Sequence, residues 1–250
     1  MNQKGGVGKS TTAVNLGASL ALSGERVLII DVDPQGNTTT GVGINKRELE
    51  KDVYSILLEG ASVADVVRPT AIPGLSIVPA TLNLAGAEIE LVSALQREGR
   101  LKNALRAAAD DYDYMLIDCP PSLGLLTINA LTAATDVIIP VQAEFYALEG
   151  LSQLTTIVRR IREALNPNLT ILGVLITMYD GRTKLAAEVI DELHRYFPDQ
   201  LFKTQIPRNI RLSEAPSFGQ PGVVFDVKSR GAQAYLQFAR EVTDALGVPR

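Results

Sequence analysis

The stretch Lys4-Gly5-Gly6-Val7-Gly8-Lys9-Ser10-Thr11 decides the fold, and its second half has the composition of a phosphate-binding loop. Three glycines within four residues let the backbone turn back on itself, so that consecutive N–H groups can reach phosphate oxygens. A helix predicted from Ser10 to about Ser23 points its positive amino end at the same place. We therefore expect Lys9 to contact the β- and γ-phosphates of ATP and the Ser10 hydroxyl to bind Mg²⁺.

One position departs from the usual phosphate-loop pattern. That pattern has a glycine five positions before Gly8, where this chain has Gln3, and an extra lysine, Lys4, directly precedes the glycine pair. A lysine here is typical of the deviant Walker A group. Together with Asp31-Val32-Asp33-Pro34-Gln35-Gly36-Asn37 and Asp118-Cys119-Pro120-Pro121-Ser122, the loop resembles that of ParA/Soj-type chromosome- or plasmid-partitioning ATPases. The resemblance runs from residue 2 to roughly residue 246.

The composition indicates one aliphatic core. The 250 residues are 46% hydrophobic and 5% aromatic, without Trp, which suits parallel strands covered on both faces and predicts a single domain over residues 1–250. The single cysteine, Cys119, excludes an internal disulfide, and one histidine leaves no cluster for structural zinc. We see no signal peptide and no apolar run near 18 residues, and so expect a cytoplasmic protein without a membrane partner.

The charge is unevenly distributed along the chain. Residues 1–150 hold 11 Lys/Arg and 18 Asp/Glu, a balance of −7, whereas residues 151–250 hold 13 and 10, a balance of +3; together they make the net −4. Such an asymmetry allows a local basic face on an acidic protein.

Strands and helices alternate, which predicts an α/β fold of the P-loop NTPase type, with a mostly parallel sheet and helices on both faces. Strands are predicted at Arg26–Ile30, Leu75–Pro79, Tyr114–Asp118, Val137–Val141 and Ile171–Ile176. Helices are predicted near 10–23, 53–59, 62–67, 82–96, 99–110, 122–134, 147–165, 184–197 and 232–246. Only three residues precede Lys4, so the strand that should lead into the loop is missing, and we interpret the start as late. The alternative is that this strand is absent from the fold, in which case two neighbouring strands would lack a partner.

Three carboxylates follow strands at the predicted ligand-binding edge of the sheet. Asp118 ends an apolar strand and is expected to bind Mg²⁺ through water; capping the next helix is the alternative. Asp31 and Asp33 are two residues apart, so their side chains point to one side. We expect Asp31 to join the Mg²⁺-water network, and the resemblance implies that Asp33 positions the attacking water. Alternatively, both form the turn before Pro34.

The resemblance also implies an ATP-sandwiched homodimer. In that family the residue at Lys4 reaches across the two-fold interface to the partner's phosphates, and Gly5 would lie where the two copies approach most closely. The alternative for Lys4 is a solvated loop lysine. The resemblance further implies that Met178 and Pro207 sandwich the adenine and that Asn209 reads its edge, although ordinary structural turns remain possible there.

Five basic residues are expected to contact DNA: Arg182, Lys184, Arg211, Lys228 and Arg230. Arg182 and Arg211 match positions implicated in DNA binding in relatives, and Lys228 and Arg230 lie near the start of the last helix. Nothing resembles a helix-turn-helix or a single-strand site, so we expect contacts to duplex phosphates without sequence preference. The alternative is that these are ordinary surface cations.

The resemblance implies an ATPase that dimerises on ATP, binds DNA on the nucleoid, and leaves it after slow hydrolysis stimulated by a ParB-like centromere-binding partner. A MinD-like membrane ATPase is one alternative, but residues 238–250 lack the basic amphipathic face of an anchor. A relative of the nitrogenase iron protein would need two cluster cysteines in each subunit, and this chain has only Cys119. A nucleotide-switched scaffold with negligible turnover stays open.

Overall fold

The protein is described here by a computed structural model that covers residues 5–144 and 147–247. The strands are β1 (Val27–Asp31), β2 (Arg68–Pro69), β3 (Leu75–Val78), β4 (Tyr114–Asp118), β5 (Asp136–Gln142), β6 (Thr170–Tyr179) and β7 (Leu201–Pro207). The helices are α1 (Lys9–Leu22), α2 (Asn37–Gly41), α3 (Val63–Val66), α4 (Leu84–Glu90), α5 (Arg100–Arg106), α6 (Leu125–Ala133), α7 (Ala147–Ala164), α8 (Lys184–Tyr196), α9 (Ile210–Glu214), α10 (Gly222–Phe225) and α11 (Arg230–Ala245). Short turns of other helix types occur at Lys46–Glu48, Ser55–Glu59, Leu91–Ser93, Ala109–Asp111 and Ala215–Phe218.

The strands form two sheets that are almost entirely parallel. The first has the order β2-β3-β1-β4, in which only the short β2 is antiparallel, and the second has the order β5-β6-β7. Asp31 and Asp118 lie opposite each other in the β1–β4 register. The predicted mostly parallel α/β fold is therefore confirmed, and the acidic residues that follow these strands are at one edge of the first sheet.

The two sheets face each other without pairing. Within the described residues, β4 and β5 share no ladder, and a cavity of about 610 Å³ lies between them, lined by apolar side chains such as Leu16, Leu116, Leu131 and Ile138. The strands β4 and β5 are each the last strand of their sheet on the side of this cavity.

Several predicted boundaries were wrong. The strand β7 was missed because its residues alternate between buried and partly exposed positions, so it contains no continuous apolar run. The strand β6 extends to Tyr179, which puts Thr177 and Met178 in a strand instead of a loop. The helix predicted over 82–96 ends earlier, and the chain turns at Gln96, whose φ is 51°.

The helix α1 is fixed from two sides. Gly17 lets it approach β1 closely, since a Cβ there would lie 2.8 Å from Cδ1 of Ile29. On its other side α11 packs against it, and a buried hydrogen bond of 3.0 Å joins the hydroxyls of Thr12 and Tyr235. The amino end of α1 is therefore held rigidly beside the carboxyl ends of the strands. None of the helices in the described ranges is both long and apolar enough to cross a membrane.

Candidate nucleotide-binding site

The glycine-rich loop opens directly into α1, which begins at Lys9. Gly6 and Gly8 have φ angles of 75° and 85°, a conformation that glycine adopts without strain, and the carbonyl of Gly8 accepts the first helical hydrogen bond from the Thr12 N–H at 2.8 Å. No described atom lies within 4 Å of a Cβ built on Gly5 or Gly6. The loop therefore presents backbone N–H groups and a helix amino end to open space, as a phosphate site requires.

A cavity of about 760 Å³ adjoins this loop, a size typical of small-molecule and cofactor sites. It brings together most of the residues expected to bind ATP or to act on it, namely Gly5, Gly6, Gly8, Lys9, Ser10, Thr11, Asp33, Met178, Pro207 and Asn209. Val7 does not line it, because its side chain is buried. Lys4 lies outside the described residues.

Thr177, which the sequence analysis did not assign, fastens the loop to the second sheet. Its hydroxyl donates a 2.8 Å hydrogen bond to the carbonyl of Val7, and both residues are buried. The signal in the sequence was a polar residue at the end of an apolar strand, next to the predicted base pocket. The loop position thus depends on β6 as well as on α1.

The base end of the cavity contains a strained residue. Met178 has a φ of 51°, which is uncommon for a residue other than glycine and costs about 1–3 kcal/mol, and such strain clusters at functional sites. Asn209 caps α9, because its Oδ1 accepts a 2.8 Å hydrogen bond from the Arg211 N–H. Because Oδ1 is already used, the Nδ2 group is the part of the Asn209 side chain that could bind the edge of a base, and it could do so only as a donor.

Asp118 lies beside the loop helix and is nearly inaccessible. Its carboxylate is hydrogen-bonded to Ser10, and its Oδ2 accepts a 2.6 Å bond from the Thr38 hydroxyl. Burial raises the pKa of Asp118. Ser10 and Asp118 are therefore adjacent, and this pair of oxygen ligands fits Mg²⁺, which prefers oxygen and keeps several waters. The described residues contain no group of three or more His, Cys, Asp or Glu able to hold a metal.

Asp31 has a different environment from the one predicted. It is fully buried and does not line the cavity; its Oδ2 accepts hydrogen bonds from the N–H and hydroxyl of Thr39 at 2.8 and 2.7 Å, and its Oδ1 accepts one from the Asp33 N–H. Burial, followed by the charge of Asp118, raises the pKa of Asp31 to about 7. These hydrogen bonds hold the Asp31 carboxylate in place, and its part in a Mg²⁺-water network stays a prediction.

Asp33 forms the turn that was considered as its alternative role, and it also lines the cavity; its role toward the attacking water stays a prediction. Its Oδ1 accepts a 2.9 Å hydrogen bond from the Gln35 N–H, which forms the turn after Pro34, and its side chain also lines the cavity. The charges of Asp118 and Asp33 act on Lys9, but desolvation has the larger effect and lowers the pKa of Lys9. Lys9 therefore lies near two buried carboxylates, Asp33 and Asp118, beside the loop.

The chain at Gly219, which follows the turn Ala215–Phe218, contacts the chain at Gly43, which follows α2. Gly43 and Gly219 both have positive φ, and a Cβ on either would lie 2.9 Å from the backbone of the other. The turn Ala215–Phe218, which continues from α9, therefore rests against the chain just after Asn37–Gly41.

The five basic residues expected to contact DNA are all exposed, but they differ in their partners. Arg182 is paired with Asp180, and Arg211 is paired with Glu214 and Asp226. Lys184 begins α8 and Arg230 begins α11, shortly after Lys228. The structure places these residues on the surface and does not itself show what they bind.

A glycine loop at a helix amino end, with a lysine and an aspartate–serine pair at the carboxyl edge of a parallel sheet, defines a P-loop nucleoside-triphosphate-binding protein. The family model described as an AAA domain matches residues 1–171. The chain is 59% identical over 241 residues to the sporulation initiation inhibitor protein Soj of Bacillus subtilis (strain 168), covering 96% of this chain and 95% of that protein. It is 52% identical to the chromosome partitioning protein ParA of Myxococcus xanthus (strain DK1622), covering 96% and 85%. The chain belongs to the ParA/Soj family of chromosome-partitioning ATPases.

A solved structure shares the whole fold. The cobyrinic acid a,c-diamide synthase from Mycobacterium smegmatis with bound ATP analog and magnesium has a TM-score of 0.87 and 37% identity, covering 100% of this chain and 95% of that one. Its name gives a different activity, while its ligands are those that the cavity described above is built to accept.

Proposed function

We propose that this chain, acting as a single ATPase domain over residues 1–250, segregates DNA by a cycle of ATP binding and hydrolysis. ATP and Mg²⁺ are its cofactors. The ATP-bound form dimerises, binds duplex DNA without sequence preference on the nucleoid, and is released when a ParB-like centromere-binding partner stimulates hydrolysis.

The observation that carries the proposal is the cavity, which joins a phosphate loop, Ser10 and Asp33, with the buried Asp118 next to Ser10. Lys9 and the loop N–H groups would neutralise the β- and γ-phosphates, and Ser10 and Asp118 would hold Mg²⁺, directly or through water. Asp33 would orient the attacking water. Phosphoryl transfer depends chiefly on such positioning and charge neutralisation, so a slow basal rate is expected without a further cationic group.

Dimerisation would complete the site. We assign Lys4 to the partner's phosphates, as the family resemblance implies, and Gly5 to the point of closest approach. The open space around Gly5 supports this assignment, because a partner backbone has room to approach there. Gly5→Val is expected to leave ATP binding intact and to prevent dimerisation, as measured by light scattering during gel filtration.

The phosphate site is tested with Lys9→Ala. This variant should lose ATP binding in calorimetry, because it removes the loop cation that faces the β- and γ-phosphates. Lys51→Ala, which changes an exposed lysine that does not line the cavity, is the matched control and should bind normally. Unchanged affinity in Lys9→Ala would refute the assignment.

The hydrolytic role is tested with Asp33→Ala. The variant should bind ATP and dimerise, yet hydrolyse poorly and remain on DNA. Phosphate release is measured with and without DNA and the ParB-like partner. A wild-type rate in the variant would leave Asp33 with only its turn-forming role. Negligible turnover of the wild type under every condition would instead favour the nucleotide-switched scaffold.

The DNA face is tested with Arg182→Glu and Arg211→Glu. Each should weaken DNA binding without changing ATP affinity or dimerisation, because non-specific affinity comes mainly from neutralised phosphates and released counterions. DNA affinity is measured with ATP and with ADP. Equal affinity in the two nucleotide states would contradict the proposed cycle. Recruitment to anionic vesicles in place of DNA would favour the MinD-like alternative.

A further inference from the structure

Two of the five basic surface residues are held by carboxylates in a well-defined geometry. Arg182 forms a two-pronged pair with Asp180, in which its Nε donates to Oδ1 at 2.8 Å and its Nη2 to Oδ2 at 2.6 Å. The side chain of Arg182 is 89% exposed and that of Asp180 is 31% exposed, so the pair lies at the surface. This is the same planar two-bond geometry with which arginine binds a phosphate.

Arg211 is held on two sides. Its Nη1 donates to Glu214 Oε2 at 2.9 Å within α9, and its Nε lies 3.3 Å from Asp226 Oδ2, which belongs to the segment between α10 and α11. Both carboxylates are partly exposed. Each N–H group used in this way is unavailable to another acceptor until the pair opens.

The other three basic residues have no such partner. Within the described residues, no ion pair involves Lys184, Lys228 or Arg230, and all three are exposed. The basic surface therefore contains three cations ready to meet a phosphate and two arginines that must first exchange one anion for another.

We propose that Asp180 and Asp226 compete with DNA phosphates for Arg182 and Arg211, and so keep the affinity for DNA low enough for release. This inference rests on the DNA binding proposed above and assigns these acidic residues a role in it. Exposed pairs of this kind are weak, so a dense array of duplex phosphates can displace the carboxylates, whereas a single anion gains little from doing so.

The proposal has a distinct physical consequence. Replacing Asp180 by its amide removes the ion pair of Arg182, and replacing Asp226 removes one of the two carboxylates that hold Arg211; each change adds one local positive charge. DNA affinity should rise about two- to fivefold for each replacement, the range expected for opening one exposed pair. The slope of log affinity against log salt should steepen by about one, because one more phosphate contact releases a counterion.

The experiment compares Asp180→Asn and Asp226→Asn with a control that the chain itself provides. Arg26 and Asp113 form a similar exposed two-pronged pair, with bonds of 3.2 and 2.7 Å, next to the amino ends of β1 and β4 and away from the nucleotide edge. Asp113→Asn therefore makes the same change in net charge at a distant place. Affinity for random-sequence duplex is measured by fluorescence anisotropy with Mg-ATP between about 50 and 200 mM salt.

The double variant Asp180→Asn/Arg182→Ala separates local from general effects, since the gain from Asp180→Asn should vanish when Arg182 is absent. Tighter binding in the two amide variants, with Asp113→Asn unchanged, supports the proposal. If the wild type binds DNA and the amide variants bind no better, or if Asp113→Asn gains as much, the competition is overturned while the DNA-binding function stands. If the wild type does not bind DNA with Mg-ATP, both fail. ATP affinity, measured in parallel, should be the same for all variants.

Discussion

Thr177 holds the phosphate loop through one buried hydrogen bond to Val7, so its hydroxyl is expected to matter for ATP binding. Thr177→Val keeps the shape of the side chain but leaves the Val7 carbonyl unpaired in a buried place. We expect ATP affinity to fall about two- to tenfold, the value of one such bond. Calorimetry measures this. Thr170→Val, which removes an exposed hydroxyl at the other end of β6, is the control and should bind like wild type.

The pairing of Asp180 predicts its titration. The side-chain hydrogen bonds from Arg182 lower the pKa of Asp180 to about 2. A lowered carboxyl pKa means that the pair is complete at neutral pH and is lost only as the pH falls through that value. The carboxyl carbon shift, followed by NMR against pH, should report this low pKa, and Arg182→Ala should raise the pKa of Asp180 toward its ordinary value, because the side-chain hydrogen bonds are lost. An ordinary value in the wild type would show that the pair does not persist in solution.

At the scale of elements, Thr39 joins three of them. Its hydroxyl donates to Asp31 at the end of β1 and accepts from the Ala80 N–H just after β3, while Thr39 itself lies in α2. Thr39→Val should lower the free energy of unfolding by about 1–3 kcal/mol, because it leaves buried polar groups without partners. Denaturant titration measures this. Thr40→Val, at an exposed neighbour, should have little effect; equal losses in the two would contradict the role of Thr39.

The elements show what the sequence could predict. The phosphate loop, α1 and β4 follow from short-range patterns: glycine spacing, a helix after it, and an unbroken apolar run ending in Asp118. The strand β7 has no such run, because buried residues alternate along it with more exposed ones. The helix α11 packs against this strand. Its prediction would have needed the neighbouring helix.

Site residues divide in the same way. The ion pair of Arg211 with Glu214 was within reach of spacing rules, since residues three apart on a helix lie on the same face. Thr177 and Thr38 were not, because their acceptors lie 170 and 80 residues away in the chain. Asp31 was assigned to the metal because its spacing from Asp33 puts both on one side, and spacing says nothing about which group each carboxylate meets.

For the whole molecule, the cavity is built from both sheets. Asp33 follows β1 of the first sheet, and the loop leads into α1, which packs against that strand, whereas Thr177, Met178 and Pro207 belong to the second sheet. Mg-ATP should therefore stabilise the complete fold. At about 100 times Kd the gain is about 2.7 kcal/mol, which for a chain of this length raises Tm by about 5–10 °C. Differential scanning fluorimetry checks this, and Lys9→Ala should show no shift. A shift in that variant equal to the wild type would mean that the ligand binds elsewhere.

The contact between Gly43 and Gly219 has a consequence for this whole. It joins the chain after α2 to the turn after α9. Residues of α2 line the candidate nucleotide cavity, and α9 contains Arg211. A Cβ at Gly219 would force the two backbones apart. Gly219→Ala should thus bind ATP, yet lose most of the difference in DNA affinity between its ATP and ADP forms. If the difference in DNA affinity between the ATP and ADP forms is undiminished in Gly219→Ala, the two sites are coupled through other contacts.

Coupling of this kind is reciprocal, so if ATP tightens DNA binding as proposed, DNA tightens ATP binding by the same factor. The contact between Gly43 and Gly219 would then determine how strongly bound DNA favours the ATP-bound form of the protein.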